Sequence, residues 1–161
     1  MKERVGISEF RVARTPLVLV TYGLGSCLGI ALYDPQQSLG GLAHTLLPRP
    51  LPGMRESRAG KFVETAIHRM LQELLAQGAV REHLRARLIG GANMFEPLHA
   101  HTEEGIGARN IRAARETLRG LQLPVQAEAV GGNHGRTVEF DLANGEVRVR
   151  SVHGNDRLII L

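Results

Sequence analysis

A chain of 161 residues with 43% apolar and 22% charged side chains is long enough to bury a core and too balanced for disorder, which predicts one folded domain over 1–161. The net charge of +4 comes from 20 Lys and Arg scattered through every segment against 16 Asp and Glu, with no Trp, two Tyr and four Phe. Nucleic-acid binding wants clustered cations and aromatic platforms, so the composition weighs against it.

No run approaches the ~18 apolar residues of a membrane span, and Met1-Lys2-Glu3-Arg4 opens no signal-peptide core. A cytoplasmic protein without direct membrane insertion is expected. The single cysteine, Cys27, cannot form an internal disulfide, which agrees with a reducing compartment.

In chain order, Leu17 to Val20 and Leu28 to Tyr33 read as strands, joined by Thr21-Tyr22-Gly23-Leu24-Gly25-Ser26-Cys27. Gly41 to Leu47 forms a third strand-like block, stopped by Pro48, and the Pro48-Pro50-Pro52-Gly53 stretch reads as an exposed loop. From Phe62 to Leu75 apolar residues recur at three- and four-residue steps, predicting a helix that Gly78 caps; a weaker helix is predicted from about Asn110 to Arg119. Ala86 to Ile89 and Leu123 to Val130 read as strands that each end in a paired-glycine turn, Gly90-Gly91 and Gly131-Gly132. Val138, Phe140 and Leu142, then Asn144-Gly145, then Val147 and Val149, predict a hairpin. Strands outnumber helices and do not alternate regularly with them, so the expected class is α+β: a largely antiparallel sheet or sandwich carrying two helices. No heptad or large apolar stripe points to obligate assembly, and a monomer is expected.

Gly23-Leu24-Gly25-Ser26-Cys27 lacks the third glycine and the following helix of a dinucleotide loop, and no Gly-Lys-Ser/Thr phosphate loop occurs. A thiol that follows two glycines and a serine, where a tight loop meets a strand, sits where backbone N–H groups can converge on a thiolate or an oxyanion. Ser26 and Gly25 are the candidates for that backbone support. Free cysteine also packs commonly as a small buried hydrophobe, and local pattern leaves both roles open.

A catalytic thiol needs a base, and seven histidines compete. His68 and His83 read as solvated surface residues. His99 and His101 flank a metal-like pattern with Glu103 and Glu104 but lack a third placed ligand, so no metal or other cofactor is expected. His134 and His153 have no nameable partner. His44 stands in an apolar strand, where a polar side chain is either a satisfied core histidine or a functional base.

Taken together, Thr21-x-Gly23-Leu24-Gly25-Ser26-Cys27, His44-x-x-Leu47-Pro48, Gly90-Gly91-Ala92, Ile106-Gly107-Ala108-Arg109-Asn110 and Gly131-Gly132-x-x-Gly135-Arg136 resemble, in order, the motif series of the bacterial chemoreceptor glutamine deamidases, the CheD family. The resemblance runs from about Val5 to Val152. It implies a layered α/β sandwich related to the catalytic domains of bacterial toxins that deamidate a host GTPase glutamine, and a triad of Cys27, His44 and Thr21. It further implies a protein-glutamine glutaminase, a cysteine-dependent amidohydrolase converting glutamines of methyl-accepting chemotaxis receptors to glutamate and able to hydrolyse their glutamyl methyl esters. Receptor cytoplasmic domains and a CheC-type phosphatase are the implied partners. The competing expectations are a regulatory module that docks on such a phosphatase or receptor with little catalysis, and a general cysteine amidase or peptidase.

Overall fold

The computed structural model describes residues 1–54, 58–94, 104–152 and 157–161. Its strands are β1 (Lys2–Arg4), β2 (Glu9–Arg14), β3 (Val18–Leu24), β4 (Leu28–Asp34), β5 (Leu39–Thr45), β6 (Arg85–Gly90), β7 (Val125–Val130), β8 (Arg136–Asp141), β9 (Val147–Ser151) and β10 (Leu158–Ile160); helix α1 is Val63–Ala76 and α2 is Ile106–Gly120. They form two five-stranded sheets in the orders β1-β3-β8-β9-β10 and β2-β5-β4-β6-β7. Only β1 with β3 and β6 with β7 run parallel, the latter because α2 carries the chain back between them.

The burial pattern shows why there are three layers. β8 and β9 alternate, with Val138, Phe140, Val147 and Val149 buried and Arg148 and Arg150 exposed, so the first sheet has one wet face. β4 and β5 are buried along their whole length, the mark of a sheet covered on both sides. On one side Ala31, Tyr33, Leu42 and Ile89 meet Leu19, Val138 and Phe140 of the first sheet. On the other, Leu28, Ile30, Leu32 and Leu88 meet Val63, Ile67, Met70 and Leu74 of α1 and Ala114 and Leu118 of α2. Each such aliphatic side chain contributes about 1.5–3 kcal/mol when fully buried.

The α+β class, the sandwich, the largely antiparallel pairing, both helices and the β8–β9 hairpin stand as the sequence predicts. Gly78, at φ +108, follows α1 as expected, with its N–H on Leu75 O. Three details differ. β1, β2 and β10 are additional edge elements. α2 begins at Ile106, four residues before the predicted start. β3 continues through Leu24, which puts Thr21 on a strand instead of in the linking loop. Pairing Thr21 with Val138 but Leu24 with Arg136 leaves an extra residue in β3, and this bulge, with Gly23 at φ +70, bends the strand end toward the second sheet.

Candidate functional site

The chain changes sheets between Leu24 and Leu28, so Gly25-Ser26-Cys27 crosses one end of the sandwich. The carbonyls of this crossing are all held: Gly25 O by Ala92 N at 2.8 Å, Ser26 O by Asn110 Nδ2 at 3.0 Å and Cys27 O by Gly91 N at 2.8 Å. The Gly90-Gly91 turn can approach so closely only because it lacks side chains. Gly90 has φ +104, and a Cβ on it would lie 2.5 Å from Cys27 O. Gly25 N–H turns back onto Gly23 O at 3.0 Å, whereas the N–H groups of Ser26 and Cys27 meet no backbone carbonyl among the described residues.

Thr21 and His44 face one another across the sandwich. Leu19 and Leu42, two residues before each, belong to the core between the sheets, so Thr21 and His44 project into the same layer. Their Oγ1 and Nδ1 are 2.7 Å apart. The hydroxyl proton of Thr21 is directed at Val5 O, 2.7 Å away. A threonine hydroxyl has one proton, so toward the ring its oxygen accepts, and Nδ1 must carry the imidazole hydrogen. Nε2 is then the basic nitrogen, and among the described residues it has no hydrogen-bond partner, the Cys27 thiol included.

Cys27 shares this inner face with Ala31 and Tyr33. His44 pairs with Gly29 on β4, so Cys27, two residues before Gly29, is its diagonal neighbour on the same side. Such positions lie about 7–8 Å apart at the backbone, within reach of an imidazole. His44 and Thr21 are fully buried, while Cys27 retains 9% of its surface, the open side of the group.

Burial sets the charge state. It pushes the His44 pKa down to about 4, aided by the Arg4 charge. It pushes the Cys27 thiol up, partly offset by the backbone N–H of Cys27 itself. Near neutral pH the resting pair is thiol and neutral imidazole, not an ion pair.

Three residues outside the predicted set complete the arrangement. Val5 lies in the segment joining β1 to β2, which crosses the same end of the sandwich: Val5 N–H bonds Val20 O at 2.7 Å and Ser8 N–H bonds His44 O at 2.8 Å. Asn110 is fully buried and its Nδ2 reaches both Ser26 O and, at 3.2 Å, Leu46 O. One amide thus ties the cysteine loop to the chain just beyond His44. Arg136, almost buried, reaches Gly90 O at 3.5 Å from beneath. Nothing local in the sequence signals Val5; Asn110 and Arg136 stand within the family-like motifs without a role attached.

The other histidines lie elsewhere. His68 is exposed on α1, and His83 sits 3.4 Å from buried Asp34 at the opposite end of β4. His134 is half-buried in the β7–β8 turn. His99, His101, Glu103 and His153 lie outside the described residues, and Glu104 pairs with Arg112. Among the described residues no three His, Cys, Asp or Glu side chains group to hold a metal, and no helix is long and apolar enough to cross a membrane.

A two-sheet α+β sandwich that gathers thiol, imidazole and hydroxyl groups on its inner faces at one end has the components of a thiol acyl-transfer site. Comparison with known proteins is more specific. Residues 46–151 match the family model described as CheD chemotactic sensory transduction, and the chain belongs to the CheD family. That match starts just after His44, but whole-chain relatives extend across all three residues. The chain is 52% identical over 149 residues, 92% of each protein, to the probable chemoreceptor glutamine deamidase CheD 2 of Geobacter metallireducens. It is 45% identical over 150 residues, 92% of this chain and 90% of the relative, to the probable chemoreceptor glutamine deamidase CheD of Moorella thermoacetica. With the chemoreceptor glutamine deamidase CheD of Thermotoga maritima it shares 39% identity over 160 residues, 99% of this chain and 98% of that one.

Proposed function

We propose that this chain is a protein-glutamine glutaminase that converts glutamine side chains of chemoreceptor cytoplasmic domains to glutamate, with Cys27 as nucleophile, His44 as base and Thr21 as the group that orients it. The observation that carries the reading is the Thr21 bridge. By giving its proton to Val5 O and accepting from His44 Nδ1, the hydroxyl leaves Nε2 free on the face that Cys27 shares. The names of the relatives supply the substrate class.

In this mechanism the Cys27 proton passes to His44 Nε2 as sulfur attacks the amide carbon of a receptor glutamine. The carbonyl oxygen takes up negative charge facing the free N–H groups of Ser26 and Cys27, while Gly25 supports the loop without donating. The imidazolium then protonates the departing nitrogen, ammonia leaves, and a thioester joins Cys27 to the substrate. Water, giving a proton to the same Nε2, attacks the thioester. Glutamate is released and the thiol regains its proton. A glutamyl methyl ester follows the same path with methanol as leaving group. Exposed Tyr22, beside the bulge, and Met94, against Gly25, give the site an apolar rim suited to a protein substrate.

The test is peptide mass mapping of a receptor cytoplasmic fragment incubated with the protein. Wild type converts particular Gln to Glu and Cys27→Ala converts none; conversion by Cys27→Ala overturns the scheme. In cells, intact signalling by a Cys27→Ala strain would instead favour a docking role, on the receptor or on a CheC-type phosphatase.

A further inference from the structure

A concavity of about 400 Å³ lies at the end of the sandwich opposite Cys27, lined among others by Tyr33, Glu82, Arg85, Arg87, Gln126 and Asn144. Arg87 sits between Ala86 and Leu88, which both face the helices, so its own side chain enters the layer between the sheets. Its register partners on either side are Ala31 and Ala127, small enough to leave room for a guanidinium. Arg87 is nine-tenths buried, yet its Nε and Nη1 have no hydrogen-bond partner among the described residues.

A buried guanidinium is ordinarily paired with a carboxylate or phosphate, since desolvating it without a counter-charge is costly. The nearby acid does not fill that role. Asp34 spends its carboxylate on the N–H groups of Gln36, Gln37 and Val80, with His83 beside it. No ion pair joins Arg87 to Glu82 or any other acid among the described residues. Arg85 adds a second cation to the rim, held by the carbonyls of Glu82 and Leu84.

The neighbouring strand is shaped toward the same space. Ala86 pairs with Val125 but Arg87 pairs with Ala127, so Gln126 is the extra residue of a bulge in β7, and Gln126 lines the cavity. Bulges re-aim side chains in this way beside binding sites. A planar guanidinium with open N–H groups, an amide at a bulge and a second arginine form a donor set for the oxygens of a carboxylate or phosphate.

The geometry points to an oxyanion-binding site at this end of the protein, in which a small molecule bearing a carboxylate or phosphate group supplies the counter-charge of Arg87 and accepts from Gln126. The site is separate from the Cys27 group and does not depend on the deamidase reading.

Inorganic phosphate and acetate, each titrated into the full chain at ionic strength held constant with chloride, are the probes. The Arg87 Nε–H and Gln126 amide resonances are followed by NMR. The expected result is a saturable shift of both groups with at least one probe, binding at least tenfold weaker in Arg87→Met and several-fold weaker in Gln126→Ala. Arg150→Gln, on the exposed face of β9, should bind as wild type. Saturation by phosphate alone assigns a phosphorylated ligand, and saturation by acetate a carboxylate. No saturable shift at Arg87 and Gln126 with either probe overturns the site, as does binding unchanged in Arg87→Met. Because Gln126 is exposed on the edge strand β7, its variant keeps the test decisive if Arg87→Met fails to fold.

Discussion

Replacing Thr21 by valine keeps the shape of the side chain and removes only its oxygen. In the folded protein that oxygen accepts from His44 Nδ1 and donates to Val5 O. Without it, the tautomer with hydrogen on Nδ1 leaves a buried donor unmet, at about 1–3 kcal/mol, and the imidazolium formed during reaction loses a charge-assisted bond of similar size. The ring escapes the first cost by moving its hydrogen to Nε2, but then it is no longer a base toward Cys27. Taking 1–3 kcal/mol as the loss in the chemical step, and 1.36 kcal/mol per decade, kcat for conversion of a receptor fragment falls by about 5- to 150-fold. Thr21→Ser, which restores the hydroxyl, should recover most of that rate. The assay is the initial rate of Gln to Glu conversion by peptide mass at saturating fragment, with thermal unfolding of each variant measured in parallel. Thr21→Val at the wild-type rate, or Thr21→Ser as slow as Thr21→Val in folded protein, refutes the assignment.

Because burial holds the His44 pKa near about 4, kcat/KM should stay level as pH falls from 7 to about 5 and decline only toward 4; an acid limb centred near 6.5 would show a solvated ring and count against the site. The same shift has a stability consequence. The unfolded chain takes up the His44 proton near 6.5 and the folded one only near about 4, so stability present above 6.5 drains away across that window, by about 3 kcal/mol in all. His44→Gln should flatten this acid slope in urea unfolding followed against pH. Cys27, with its thiol pushed up, should react with iodoacetamide at pH 7 more slowly than a free cysteine; faster reaction would mean a preformed thiolate. Asn110→Ala strands Ser26 O and Leu46 O, and should cost about 1–3 kcal/mol of stability along with a lower kcat. Asn110→Asp, which sets an oxygen against both carbonyls, should be worse in both measurements, and equal behaviour of the two would remove the bridging role. Gly90→Ala, strained at φ +104 and driven against Cys27 O, should unfold at lower temperature than wild type; an unchanged midpoint would mean the crossing loop is not held as described.

What was legible in the sequence follows burial. Elements with a strong apolar period, α1 and the β8–β9 hairpin, could be read because their cores are made by their own side chains. β1 and β10 are three-residue edges with little or no buried side, so they carry no period to detect. β2 does alternate, with Phe10 and Val12 packed against the core between exposed Glu9, Arg11 and Arg14, and the signal was available but short. The start of α2 is not legible because it opens on Gly105 and Gly107, with no capping side chain and no acid in its first turn. Gly107 is there for closeness: a Cβ on it would lie 2.4 Å from Ala92 O. At the site, Cys27 and His44 are legible by local chemistry, while Thr21 is marked only by the family resemblance. Its hydroxyl matters because of Val5, sixteen residues away in the segment just past the neighbouring strand β1, and no local pattern encodes that pairing.

The desolvation that holds the proposed pair neutral also constrains how it works. A resting thiolate-imidazolium pair would need stabilising partners, but among the described residues the inner layer offers the His44 ring only a threonine oxygen, and Arg4 opposes a second positive charge. Charge must therefore separate during the attack, when developing negative charge on the substrate oxygen can meet the open N–H groups of Ser26 and Cys27. Proton transfer and carbonyl placement are then coupled: until a glutamine amide sits against that crossing loop, moving the Cys27 proton creates two buried charges, the negative one met by the backbone N–H of Cys27, which offsets only part of the cost of burial. A thiol kept protonated in this way resists random electrophiles, and selectivity rests with whatever brings the amide to the 9% of Cys27 that remains accessible. If the exposed Tyr22 and Met94 form the rim over which the substrate is delivered, truncating these side chains should raise KM for the folded receptor fragment far more than for a short glutamine peptide. Equal effects on both substrates would place recognition inside the site instead of around it.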